Sequence, residues 1–165
     1  MLKTIKNLFT KQELLKGNFG VEREGLRVDL KGKLSQKPHP TVFGYKMCNP
    51  YITTDFSESQ LELITPVFST TEETYKFLNA LYEIVAMELE DEYLWPQSMP
   101  AIIPEDKDIP IAEFCGCEEG KVAREYREEL FLKYGGKTAV GAMTIITSIV
   151  LMFLRAFSVT ATTSS

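Results

Sequence analysis

The segment FGVEREGLRVD, residues 19–29, mixes apolar and charged residues in the pattern of a β-strand, and the fold prediction starts from it. Residues two apart in a strand point to the same face, so Glu22 and Glu24 share a face that Arg23 does not. Burying a carboxylate without a partner is costly. We therefore expect both glutamates to be exposed, paired with arginine or bound to a cation.

A second segment, YITTDFSESQLELITPVF at residues 51–68, carries more carboxylates in a similar setting. In its strand-like part, Leu61 and Leu63 form an apolar face, and the other face presents Gln60, Glu62 and Ile64. If the two strands are neighbours with their polar faces aligned, three or four carboxylates converge. The candidates are Glu22, Glu24, Asp55 and Glu62, with Glu58 a weaker candidate because it falls in the presumed turn. Such a cluster suits Mg²⁺ or Mn²⁺, which prefer oxygen ligands.

A simpler interpretation of the same pattern also stands. A strand reading Glu-x-Glu is often the solvated face of an antiparallel sheet, and exposed charges need no special explanation. In that case Arg23 or Arg27 would pair with Asp29 or Glu62. The residue pattern alone leaves both interpretations open.

The rest of the chain predicts an α+β organisation. Capping-box patterns open a short helix near 11–16 and a longer helix from about 70 to 91. A third helix is predicted from about 120 to 134. Residues 94–112 are interrupted by prolines and cannot form a regular helix. His39, which lies between two prolines, is predicted to be a loop residue and not a general base.

Composition excludes several classes of protein. The 165 residues allow one ordinary core, and 44% hydrophobic residues, 25% charged residues and a net charge of −5 do not suggest a nucleic-acid-binding surface. The odd number and the spacing of Cys48, Cys115 and Cys117 fit neither a zinc site nor a redox motif, so we expect reduced thiols. No long apolar stretch follows the first residues, which argues against a secretory signal and predicts a cytoplasmic protein.

Five ordered blocks in the chain carry a family resemblance. They are VEREGLRVD, GKLSQKPHP, ITTDFSESQLELITPV, LWPQSMP and YREELFLKYG. Together they resemble the amino-terminal part of bacterial glutamate-cysteine ligase, which also begins the bifunctional glutathione synthases. The resemblance covers about residues 16–136.

The resemblance implies an ATP-dependent ligase that joins the γ-carboxylate of L-glutamate to L-cysteine through γ-glutamyl phosphate, the first step of glutathione biosynthesis. It implies part of a glutamine synthetase-like funnel of antiparallel strands with flanking helices, here incomplete. Glu22, Glu24 and Glu62 match metal-binding glutamates, and Asp55 aligns with an acidic residue near them. The expected cofactors are ATP and Mg²⁺ or Mn²⁺. Arg127 is the candidate cofactor-binding residue, although a plain surface role fits it as well, and we assign no catalytic residue.

Residues 137–165 depart from the family, which continues with a strand reading I-S-G-x-H-x-N-F-S. The codons of residues 144–148, read two nucleotides on, permit His-Tyr-Asn-Phe, so we predict that 1–136 is the ligase part and that the apolar tail is out-of-frame sequence. A buried strand is a second possibility, and a membrane span is a poor one. The alternative function is a non-enzymatic product: a truncated fragment, or a small acidic domain whose tail anchors it to a membrane or a partner.

Overall fold

The computed structural model describes residues 17–97, 99, 101–114 and 117–134. Within this part the chain forms four strands and two α-helices, which confirms the α+β prediction. In chain order they are β1 (Glu22–Asp29), β2 (Ile52–Thr54), β3 (Gln60–Ile64), α1 (Thr71–Glu88), β4 (Glu92–Leu94) and α2 (Glu118–Tyr134). The helix predicted at 11–16 and the tail at 137–165 lie outside the described residues.

The strands form one antiparallel sheet in the order β2-β3-β1-β4. In the register between β1 and β3, Glu24 lies opposite Glu62 and Glu22 lies opposite Ile64. Because side chains alternate between faces, this register puts the polar faces of both strands on the same side of the sheet. The condition stated for a convergence of carboxylates, that the two acidic segments are neighbouring strands with aligned polar faces, is met. A closed funnel goes beyond this four-stranded sheet and stays a prediction.

Helix α1 covers the apolar face of the sheet. Leu61 and Leu63 of β3 are buried there against Leu81 and Val85 of the helix. The Thr70 side chain caps the helix by accepting a hydrogen bond from the Glu73 backbone N–H at 3.2 Å, as the capping box predicts. The helix ends a few residues before the predicted boundary near 91. The helix therefore packs on the face of the sheet opposite the carboxylates.

The second half of β1 carries an apolar continuation of the acidic face. Leu26 and Val28 are buried with Leu34, Ala101 and Ile109 in a second core cluster. No α-helix forms in the described part of residues 94–112; a short 3₁₀ helix at Asp106–Asp108 is the regular element, in agreement with the proline pattern. The face that holds Glu22 and Glu24 is therefore bounded by an apolar core cluster at its far end.

Arg27 forms a buried ion pair that the sequence did not predict. Its Nη1 lies 2.7 Å from Glu92 Oε2, and both side chains are almost fully buried. The expected alternative pairing with Asp29 is wrong. Asp29 instead accepts hydrogen bonds from the backbone N–H groups of Lys31 and Lys33 at 2.8 and 2.9 Å, in the turn where Gly32 has a φ of 77°.

The two described cysteines, Cys48 and Cys117, differ in their state. Cys48 is a free, exposed thiol, whereas Cys117 is disulfide-bonded, so the expectation of reduced thiols is wrong for Cys117.

Neither described helix combines the length and the apolar character needed to cross a bilayer.

Candidate metal and substrate site

Gln60 joins two of the predicted site carboxylates. Its Nε2 donates hydrogen bonds to Glu24 Oε2 at 2.7 Å and to Asp55 Oδ2 at 3.2 Å. Glu24 belongs to β1 and Asp55 follows β2 directly, so Gln60 at the start of β3 reaches toward both neighbouring segments. The structure thus brings together carboxylates that are 31 residues apart in the sequence.

The electrostatics of Glu24 show how close the acidic groups are. Burial, followed by the negative charges of Asp55, Glu62 and Glu22, raises the pKa of Glu24 to about 8. Burial also raises the pKa of Asp55, against the opposing effect of the Arg127 charge. All four predicted metal ligands therefore act on one region of the sheet face. Without a cation this region binds a proton at neutral pH.

Arg127 of α2 lies beside this cluster. Its Nε donates to the Asp55 backbone carbonyl at 2.7 Å, and its guanidinium carbon lies 4.6 Å from the centre of the Phe114 ring. Burial lowers the Arg127 pKa, while Asp55 and Glu62 act to raise it. Arg127 is thus a half-buried cation at the edge of the acidic group, and its contact with ATP stays a prediction.

The side chains present can be tested for their fit to a divalent cation. In the described ranges, no three His, Cys, Asp or Glu side chains are already placed around one metal position. Two observations nevertheless fit a cation: the raised pKa of Glu24, and the buried Gln60 Oε1, which has no hydrogen-bond partner. Mg²⁺ needs only one or two protein carboxylates, since water and phosphate oxygens complete its octahedron. The oxygen-rich donor set therefore fits Mg²⁺ or Mn²⁺ as a partly open site.

Glu58, the weaker metal candidate, has a different environment. It is buried, its Oε1 accepts the His39 backbone N–H at 2.8 Å, and its Oε2 accepts the Glu113 backbone N–H at 2.8 Å and pairs with Lys46. These contacts fasten the 39–46 loop and the chain before α2 to the β2–β3 turn. The turn position of Glu58 was predictable, but these contacts come from distant segments with no local signal.

The contacts of Glu58 lead to a stability prediction. We expect Glu58→Gln to lower the free energy of unfolding by about 2–4 kcal/mol, because it leaves the buried Lys46 ammonium without its counter-charge. Urea denaturation at neutral pH measures this. The matched control is Glu72→Gln, which breaks an exposed pair with Lys76 and should change stability by less than about 0.5 kcal/mol. Equal changes in both variants would contradict the assignment.

His39 lies in a loop, as predicted, but it is buried. Neither ring nitrogen has a hydrogen-bond partner among the described residues, and the ring packs edge-on against Phe43 with centroids 5.6 Å apart. Burial, with a contribution from the Lys46 charge, lowers the pKa of His39 to about 4. The imidazole is therefore neutral at pH 7, held by packing and not by hydrogen bonds.

Comparison with known proteins identifies the family of the chain. The family model described as "Glutamate-cysteine ligase" matches residues 2–153. The chain is 48% identical over 137 residues to the glutamate–cysteine ligase of Clostridium acetobutylicum, covering 83% of this chain and 28% of that protein. It is 50% identical over 138 residues to the glutathione biosynthesis bifunctional protein GshAB of Desulfotalea psychrophila, covering 83% of this chain and 17% of that protein.

A solved structure extends the comparison to the fold. The glutamate–cysteine ligase of Francisella tularensis, crystallised in complex with AMP, superposes with a TM-score of 0.65 at 37% sequence identity. The superposition covers 73% of this chain and 24% of that one. The chain therefore spans less than a third of the length of these relatives. Since the family match covers most of its residues, the chain belongs to the glutamate-cysteine ligase family.

Proposed function

We propose that this chain supplies the metal-binding part of an ATP-dependent ligase that joins the γ-carboxylate of L-glutamate to the amine of L-cysteine through γ-glutamyl phosphate. The observation that carries the proposal is the cluster of carboxylates at one face of the sheet, with Arg127 at the edge of the cluster. The family membership supports a ligase over a non-enzymatic acidic domain. The AMP in the Francisella tularensis complex supports an adenine nucleotide as co-substrate.

Each proposed role follows from the chemistry of the side chain. Glu22, Glu24, Asp55 and Glu62 would hold Mg²⁺ or Mn²⁺, because the three glutamates lie on one face of the sheet and Asp55, directly after β2, is joined to Glu24 by Gln60. The ion, when bound, neutralises the negative charge that accumulates on phosphate oxygens during phosphoryl transfer. Arg127 would hold an anionic group of the nucleotide or of an amino-acid substrate through its guanidinium.

A Mn²⁺ titration of the 165-residue chain tests the metal assignment. We expect saturable binding, measured by the loss of the free-ion signal in electron paramagnetic resonance. Glu62→Gln should weaken it by about tenfold or more, because a neutral amide keeps the size but loses the charge. Glu72→Gln, on the exposed surface of α1, is the matched control and should bind like the wild type.

The outcomes of this titration are distinct. Equal affinities for the Glu62 and Glu72 variants would exclude Glu62 as a ligand.

We do not expect the chain alone to join glutamate to cysteine, because it spans 28% of the Clostridium relative. The histidine-bearing strand that the resemblance implies after residue 136 is also not found in the sequence of its tail. Release of ADP that depends on both amino acids would contradict that expectation.

A further inference from the structure

The Gln60 side chain has an arrangement that the predicted metal ligands do not explain. Its Nε2 donates to Glu24 Oε2 at 2.7 Å and to Asp55 Oδ2 at 3.2 Å. Its exposed fraction is only 1%, so the amide cannot exchange these partners freely with water. The amide is a neutral double donor placed between two carboxyl groups, which carry like charges when both are ionised.

The backbone of Gln60 reinforces the same contact. The Asp55 backbone N–H donates to the Gln60 carbonyl at 3.2 Å, and the Gln60 N–H donates to the Ser57 carbonyl at 3.0 Å. Asp55 is therefore held by Gln60 through both its backbone and its side chain, across the tight turn between β2 and β3. On the other side, β1 and β3 pair so that Leu26 lies opposite Gln60, which fixes Glu24 two residues away.

Like charges at this spacing would otherwise separate. Glu24 Oε2 and Asp55 Oδ2 lie 2.7 and 3.2 Å from the same nitrogen atom, so the two carboxylates are close together and repel each other when both are ionised. Two N–H groups from one amide oppose this repulsion and also fix the orientation of each carboxylate. An outer group that orients metal-binding carboxylates in this way typically contributes tenfold or more to metal affinity.

We propose that Gln60 is a positioning residue for divalent-cation binding, and that its amide sets the spacing of the Glu24 and Asp55 carboxylates. This inference rests on the proposed function, because it takes those carboxylates as metal ligands. It adds to that function a residue that carries no charge and was predicted only to share a face with Glu62. The affinity of the chain for a divalent cation should therefore depend on the Gln60 amide as well as on the acidic side chains.

The test compares three variants of the full 165-residue chain with the wild type. Gln60→Met keeps the length of the side chain and removes both donors, and Gln60→Asn keeps the amide with too short a reach to bridge both carboxylates. Ser59→Ala is the matched control: Ser59 is fully buried and its Oγ donates to the Ser35 carbonyl at 2.6 Å, so the variant also loses one buried hydrogen bond at the neighbouring position. Circular dichroism verifies that each variant is folded before it is compared.

The first measurement is Mn²⁺ affinity near pH 7.5. We expect Gln60→Met to weaken binding by about 10–100-fold and Gln60→Asn by about tenfold, while Ser59→Ala stays within twofold. The second measurement is the luminescence lifetime of bound Tb³⁺ in H₂O and D₂O, which counts the waters on the ion. We expect at least one additional water in Gln60→Met, because a carboxylate that is no longer held leaves the ion; a purely structural role would not change this count.

The possible failures separate the two proposals. Wild-type affinity in the folded Gln60 variants, with an unchanged water count, would overturn the role of Gln60 and leave the metal assignment intact. Equal weakening in the Gln60 variants and in Ser59→Ala would also overturn it, since general loosening of the turn would then be the cause. Failure of the wild-type chain itself to bind Mn²⁺ would overturn the metal assignment and, with it, the inference on Gln60.

Discussion

Glu24→Gln is expected to raise the free energy of unfolding of the metal-free chain by about 2 kcal/mol at pH 8, and to weaken Mn²⁺ binding by at least about tenfold. Burial and neighbouring carboxylates raise the pKa of Glu24 from 4.5 to about 8 in the folded state. The unfolded chain therefore loses this proton near pH 4.5, and the folded chain keeps it up to about pH 8. The full shift corresponds to about 5 kcal/mol, and solvent screening of the partly buried side chain reduces the expected gain to about 2 kcal/mol.

The sign of the pH dependence makes this prediction specific. A carboxyl with a raised pKa contributes its full stability below the unfolded pKa and loses it as pH rises toward the folded pKa. Wild-type stability should thus include a component that falls between about pH 4.5 and 8, and the variant should lack it. Urea denaturation across this range, with and without Mn²⁺, measures both effects. Parallel pH curves for the two proteins would contradict the raised pKa of Glu24 in the folded chain.

Mn²⁺ should reverse the order of stability. At pH 8 the ion adds positive charge among the carboxylates, so it should stabilise the wild type and have little effect on Glu24→Gln. Exposed Glu72 again provides the control, because Glu72→Gln should leave both the pH curve and the Mn²⁺ effect unchanged. Stabilisation of both glutamine variants by Mn²⁺ to the same degree would place the ion elsewhere.

The acidic face was predictable from the sequence because strand periodicity is local. Alternation alone puts Glu22 with Glu24 and Gln60 with Glu62. The register that sets Glu24 opposite Glu62 was not predictable in the same way, because a long loop and strand β2 separate β1 from β3 in the chain. That register is therefore fixed by long-range pairing and not by a local turn. The simpler interpretation, in which the glutamates lie on a solvated sheet face, did not anticipate that Glu24 is partly buried.

Long-range polar contacts were beyond the sequence argument for a physical reason. The Arg27–Glu92 pair joins residues 65 positions apart, and Glu58 binds the backbone of two distant segments. A charge pattern along one strand indicates which face a residue occupies but not which segment later covers that face. The family resemblance pointed to Arg127, whose side chain does reach Asp55, but it did not single out the amide of Gln60.

Arg27→Met is expected to cost about 3–5 kcal/mol of folding stability, which is the largest effect on stability that we predict. The Arg27 side chain is 1% exposed and pairs with Glu92 at 2.7 Å. Its Nη2 also donates to the backbone carbonyls of Lys37 at 2.6 Å and Glu58 at 3.1 Å. The substitution therefore removes a buried counter-charge and three hydrogen bonds, and it leaves the Glu92 carboxylate with the Ser35 hydroxyl as a remaining donor. Urea denaturation near pH 7 measures the loss.

A double variant shows whether the cost comes from the unpaired charge or from lost packing. The double variant Arg27→Met with Glu92→Met also removes the Glu92 carboxylate that lost its counter-charge. A substantial part of the stability should therefore return, as found when a buried pair is replaced by apolar groups of similar volume. The Lys37 and Glu58 carbonyls still lose their donor, so recovery should be incomplete. If the double variant is as unstable as Arg27→Met, the effect of Arg27 comes from packing and from its carbonyl contacts, and the ion pair with Glu92 adds nothing to the stability of the sheet.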